Sequence, residues 1–171
     1  MHRLLYMLIV LGLISGCSSP EATYERSGTP EITIELRRAS RDPVDGWRAL
    51  EADPEFAYTS RLYVCPTVEI SNDDLVSTGV RQEGEGLRIL LKLDADAAKR
   101  FGELSKAMVG MNAISHESLA ILVDGKLVAA PFISTPIYDG VIPIPGPWSK
   151  TEAQQMAQDF VSNRSDGMPN K

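Results

Sequence analysis

Residues 120–137 read AILVDGKLVAAPFISTPI. The apolar runs on either side of Asp124-Gly125 fold back on each other if that pair makes a type I′ turn, in which both central residues need positive φ and Asp-Gly is favoured. That turn accounts for Asp124 without any catalytic role. Lys126 beside it is a solvated turn residue. The prolines at 131, 136, 143, 145 and 147 lack the amide that a central strand must donate, so this half of the sheet should end in an edge with a rigid, partly extended rim. An exposed edge beside Phe132, Ile133 and Ile137 can accept an extended peptide by strand addition. Lys126, Phe132, Ile133 and Ile137 are therefore the candidate partner-binding residues. For each of the apolar three, burial in the core is the competing reading.

The flanking segments supply the rest of a sheet and two helices. EITIELRR alternates Ile32, Ile34 and Leu36 with polar residues, the pattern of a half-buried first strand. DPVDGWRALEADPE breaks the alternation and is expected to hold a short helical turn over residues 47–52, between Pro43 and Pro54. RLYVCPTVEI is a second strand, which Pro66 puts at an edge or ends. In SNDDLVSTGV, Ser71 or Asn72 can cap one helical turn before the chain re-extends. GLRILLKLD is the strongest strand, with Leu87, Ile89, Leu91 and Leu93 on one face.

Asp94 is placed to cap the helix ADAAKRFGELSKAMV, whose Ala97, Phe101, Leu104 and Met108 share a face and whose stop is expected at Gly110. MNAISHES then reads as a loop. Past the hairpin, YDGVIPIPGPW reads as an irregular strand. A last helix opens at Ser149 with Glu152 three residues on, a capping box, and presents Ala153, Met156, Ala157 and Phe160 on one face. Two one-striped helices against one-faced strands predict an α+β fold, a two-layer sandwich with a mixed or antiparallel sheet and two main helices packed on one face.

The 171 residues are 43% hydrophobic and 23% charged with a mean hydropathy of −0.10, which suits one ordinary domain and excludes both disorder and a multispan membrane protein. Residues 1–16 stand apart from that domain. His2 and Arg3 precede the apolar run LLYMLIVLGLI and the small residues Ser15 and Gly16, a targeting segment too short for a membrane span. LISGC resembles the lipobox of bacterial lipoproteins, whose leader is removed just before a lipidated Cys. Cys17 is thus expected to begin the mature chain and carry acyl chains, palmitate among them. Several chains anchor firmly where one, at about 0.8 kcal/mol per buried methylene, is marginal. Ser18, rather than Asp, after the Cys resembles the outer-membrane pattern of double-membraned bacteria. The expected location is the cell envelope, facing the periplasm or exterior.

The expected organisation is a signal peptide at 1–16, lipidated Cys17 with a flexible Ser/Pro/Gly-rich linker at 17–30, the α+β domain at 31–162 and a disordered tail at 163–171. Removing the leader takes Arg3 from the 17 basic residues and nothing from the 23 acidic ones, so the net charge passes from −6 to −7. That balance argues against nucleic acid and anionic lipid as partners. With Cys17 lipidated, Cys65 has no partner for a disulfide and reads as a small buried strand residue.

Reactive constellations are scarce. His116 is the only histidine beyond the leader, so any metal site or Ser-His-Asp triad must be built on it, and it sits in what reads as solvated loop. GEGLRI leads into a strand rather than a helix, so its glycines cradle no phosphate. The pairs Asp73-Asp74 and Asp94/Asp96 stand at helix starts, where capping and the dipole favour carboxylates without any acid–base role. No catalytic residue, cofactor, metal or small-molecule substrate is expected. The alternatives are an envelope enzyme of the hydrolase kind using His116 with a carboxylate, and a structural accessory subunit of a membrane complex.

The set DLVSTGV, GLRILLKLDADAAKRFGELSKAMVG, LAILVDGKLVAAP and IPGPWSKTEAQQMAQDF resembles the periplasmic head subdomain of the SecD protein-export family over about residues 61–161. The residues that carry the likeness are Asp74-Leu75, Ala97-Ala98, Phe101, Leu104, Gly110, Leu119-Ala120-Ile121, Asp124-Gly125, Ala130-Pro131 and Glu152-Ala153. The resemblance implies an α+β domain outside the cytoplasmic membrane that engages translocating or unfolded polypeptide, without active-site residues. The family's multispan region and base subdomain have no counterpart in these residues, and MNAISHES is inserted before the hairpin. What is expected is a head-like binding module on a lipoprotein, not a complete export motor.

Overall fold

Four stretches of the computed structural model, residues 22–51, 61–84, 86–115 and 117–162, are described. The strands along them are β1 (Ala22–Glu25), β2 (Ile34–Ser40), β3 (Arg48–Glu51), β4 (Arg61–Val64), β5 (Ile70–Ser71), β6 (Leu75–Glu83), β7 (Gly86–Leu93), β8 (Glu117–Val123), β9 (Lys126–Ala129) and β10 (Val141–Pro145). Helix α1 (Ala95–Ser115) joins β7 to β8, and α2 (Lys150–Asp159) follows β10. The fold is α+β with antiparallel pairing, as the residue pattern predicts. The strands form two sheets rather than one: β1-β6-β7-β10, and β3-β4-β2-β8-β9 with β5 also on β2.

The main core lies between these sheets and the helices. Ile34 and Leu36 of β2 and Leu119 and Ile121 of β8 meet Ile89 and Leu91 of β7, Phe101 and Met108 of α1, and Ala157 and Phe160 of α2. All ten are essentially inaccessible to solvent. The period-two and helical stripes seen in the sequence are thus the faces that close on one another. Ala153 and Ala157 let α2 lie close on the four-stranded sheet, where the Thr78 hydroxyl donates to the Ala157 carbonyl. A smaller apolar cluster of Ala39, Leu62, Val64, Ala120, Leu122 and Leu127 covers the opposite face of the second sheet. β8 is therefore buried on both faces, which is why its residues 119–122 form an unbroken apolar run.

Local chemistry sets the element ends. Asp94 Oδ1 accepts from the Ala97 amide at 2.7 Å and starts α1. Ser71 caps a 3-10 turn over Asn72–Asp74 in a complete capping box, and Ser149 with Glu152 does the same for α2. Asn72 has a different task. Its side-chain oxygen accepts from the Ile34 amide, and its amide donates to the Ile32 and Phe160 carbonyls, tying β2 to the end of α2.

Four local expectations give way. Arg48–Glu51, expected to lie in a helical turn, pairs as β3 with β4, because a cross-strand ladder outweighs a weak local preference. Residues 22–25, read as linker, pair with Ser77 to Val80 of β6 as an outer strand. Gly110 does not stop α1, which runs to Ser115. A glycine costs a helix only about 1 kcal/mol relative to alanine, and no proline follows to end it. The insertion read as a loop is consequently the last turn of α1 and the start of β8, with His116 outside the described residues.

Candidate functional site

The Asp124-Gly125 turn forms as the sequence predicts, with φ of 47° and 74°. Asp124 Oδ1 accepts from the Thr33 amide at 2.9 Å and the Thr33 hydroxyl at 3.1 Å, while the Asp124 amide donates to the Thr33 carbonyl. The carboxylate therefore pins the turn to the chain entering β2. Lys126 is exposed beside the turn.

Beyond β9 the chain leaves the ladder. The Leu119 amide donates to the Pro131 carbonyl at 3.0 Å, and residues 132–140 then cross to the other sheet as an irregular strap. Among the described residues, three hydrogen bonds tie the strap to its neighbours. The Ile137 amide donates to Ser105 Oγ of α1 at 2.9 Å, Lys92 Nζ donates to the Asp139 carbonyl, and the Leu93 amide donates to the Gly140 carbonyl. Gly102 lets the Tyr138 ring lie on α1, since a Cβ there would come within 2.9 Å of it.

Between strap and sheets lies an open groove of about 700 Å3, lined by residues 131–139 and 141–143 with Leu119 and Arg81. It is the site the arrangement offers. Phe132 is 46% exposed and Tyr138 60% exposed, although both are large aromatic side chains that ordinarily seek burial. The Arg41 guanidinium lies 5.1 Å from the Phe132 ring centre, a cation–π contact that holds the ring at the surface.

Three of the four residues singled out in the sequence meet here, in unequal roles. Phe132 is accessible, Ile137 is half-buried against the core, and Ile133 is 6% exposed and belongs to the core. Lys126 does not line the groove. Tyr138, Arg41 and Arg81 were not singled out. An aromatic whose place depends on the room a glycine leaves opposite it leaves no mark in a periodicity. Cys17 falls outside the described residues.

The charged groups nearby are structural. Arg38 makes a forked pair with Glu117, with Nη2 at 2.7 Å from Oε1. That hydrogen bond holds the guanidinium above its ordinary pKa against the opposing effect of burial. Asp74 closes the capping box and pairs with Arg100 at 2.6 Å, while Asp73 pairs with Arg26 at 2.9 Å. No three His, Cys, Asp or Glu side chains among the described residues are grouped to hold a metal ion. Cys65 is half-buried after β4, beside a second, smaller pocket. The groove offers backbone and aromatic contacts in an open cleft; among its described lining residues no acid is paired with a base.

A groove beside two antiparallel sheets, walled by an irregular strap, marks a domain of the α+β class. The profile of the SecDF P1 head subdomain matches residues 49–161, and the chain belongs to that family. The protein translocase subunit SecD of Acidaminococcus fermentans is 35% identical over 152 residues, covering 88% of this chain and 33% of the relative. The chain thus spans about a third of that relative's length. Two solved structures of SecDF share the fold with a TM-score of 0.57 at 19% identity over 77% of this chain. One is of SecDF as a membrane component that enhances protein export, and the alignment covers 62% of it. The other is SecDF in a super-membrane-facing form, covered over 19%.

Proposed function

We propose that this protein is a non-catalytic, export-related head module, lipid-anchored to the cell envelope through Cys17, whose groove contacts translocating or unfolded polypeptide or an envelope protein partner. The observation that carries the reading is the pair of exposed aromatics, Phe132 and Tyr138, set along the groove of a domain of the SecDF P1 head family. Tyr and Phe are among the aromatic side chains enriched at the cores of protein interfaces. A relative that is a translocase subunit and a structural neighbour that enhances export support polypeptide as the class of partner. The domain would face the periplasm or the exterior. Ser18 favours the outer membrane where there are two.

The experiment is site-specific photocrosslinking of the intact protein, with the photoreactive residue at position 132, 138 or 126, against a denatured secreted protein. Adducts at 132 and 138 above those at 126 are expected. Equal yields at the three positions, or adducts only from Lys126, would overturn the groove as the contact surface. Lipidation has its own test: Cys17→Ser should release the protein from membranes or leave the leader attached, and an acylated, membrane-bound product would refute the anchor.

A further inference from the structure

The two sheet edges that border the groove differ in what their backbones offer. On β10, the Leu93-to-Gly140 bond and the register Val141 with Lys92 and Ile142 with Leu91 turn Gly140, Ile142 and Ile144 toward β7. Val141, Pro143 and Pro145 therefore face outward. The two prolines have no amide hydrogen, and the Val141 amide already donates to Asp139 Oδ1 at 3.1 Å. This edge presents carbonyl groups only, and an incoming strand would find no donor on it.

On the second sheet the same alternation has the opposite result. The Leu119-to-Pro131 bond and the pairing of Ile121 with Ala129 turn Ala129 and Pro131 inward, so the amides and carbonyls of Ala130 and Phe132 point away from β8. Neither residue's backbone has a protein partner among the described residues, and β9 is the outermost strand of its sheet. The edge is short. The register shifts just before it, between Ile121 and Leu122 of β8, and a bend follows at Thr135.

We infer that the Ala130–Phe132 edge takes up one extended polypeptide segment by β-strand addition, through the two amides and two carbonyls of Ala130 and Phe132, while the proline edge of β10 stays closed to it. This rests on the polypeptide reading above and specifies its mode. Ala129 and Ile133 belong to the main core, so the guest residue opposite Pro131 points to the main-core face of the sheet and its two neighbours point to the face of Phe132. Main-chain pairing makes recognition tolerant of sequence and intolerant of proline in the guest. With so few hydrogen bonds the contact is weak and reversible, which suits a chain that must be released.

The test uses the intact protein with a soluble peptide of alternating Val and Thr, and the same peptide N-methylated at every internal amide, so that neither edge of the guest keeps its donors. The parent should bind and slow hydrogen exchange at the Ala130 and Phe132 amides, and N-methylation should weaken binding by roughly tenfold, as expected for loss of main-chain donors. Ala130→Pro, which deletes an amide unpaired in the free protein, should weaken the parent peptide by about two- to tenfold. Equal binding of both peptides would overturn strand addition while leaving a side-chain polypeptide groove in place. Binding of neither peptide, together with no crosslinks to denatured protein, would overturn the polypeptide reading itself.

Discussion

From Glu117 to Ala129 the hairpin is buried and laddered over nearly its whole length, whereas from Ala130 to Gly140 the strap is tied down at a few points and leaves two aromatics in solvent. The contrast lies in what each segment does with its backbone groups. β8 lies between two strands and under apolar clusters on both faces, so its residues contribute stability and are unavailable for anything else. The strap and the residues that lead into it give up pairing to prolines, and with it much of their share of the core. Stability and availability are divided between adjacent stretches of one chain.

The sharpest way to break that division is to cut into each side. Ile121→Ala, at a site closed to solvent, should cost about 2–5 kcal/mol in denaturant unfolding. A smaller loss would mean that β8 is not the stability-bearing side. Ser105→Ala attacks the strap's tether. It leaves the half-buried Ile137 amide without its acceptor and should cost about 1–3 kcal/mol, with faster hydrogen exchange at Ile137. Exchange unchanged there would show that the strap is held by something else.

Asp124→Ala loses both Thr33 bonds and puts an alanine at positive φ, at a cost of about 1–2 kcal/mol. Asp124→Gly keeps the turn and should lose less. Ser149→Ala removes the α2 cap for about 1 kcal/mol. Hydrogen bonds from Ser149, side chain and then backbone, hold the Glu152 carboxyl below its ordinary value of 4.5. A depressed folded pKa means stabilisation that is present above that value and fades as pH falls through the folded pKa. Ser149→Ala should therefore flatten the acid limb of the stability profile. Phe132→Ala, last in size, should change stability by no more than about 1 kcal/mol, because nearly half of the residue lies in solvent and it is outside the core.

Much of the hairpin side was legible in the sequence, because burial writes itself as periodicity. Leu87 to Leu93, the α1 stripe, the Asp-Gly turn and the Ser149 cap each follow from spacing or from one residue's conformational demand. What was misread depended on partners distant in sequence. Ala22–Glu25 looks like spacer until β6 is there to pair with it, and Arg48–Glu51 looks helical until β4 is. Gly110 punctuates only if the chain after it cannot continue a helix, and it can. The candidate site was half legible. Phe132 and the prolines were visible, but Ile133 could not be told from an exposed residue by type, and Tyr138 depends on Gly102 opposite it.

The most direct test of the groove is amide hydrogen exchange in the intact protein with and without a denatured secreted polypeptide. Slowed exchange concentrated in residues 130–142, with the turn at 124–126 unchanged, is the predicted result. Protection confined to the turn and the β3–β4 side, or no protection anywhere, would contradict it.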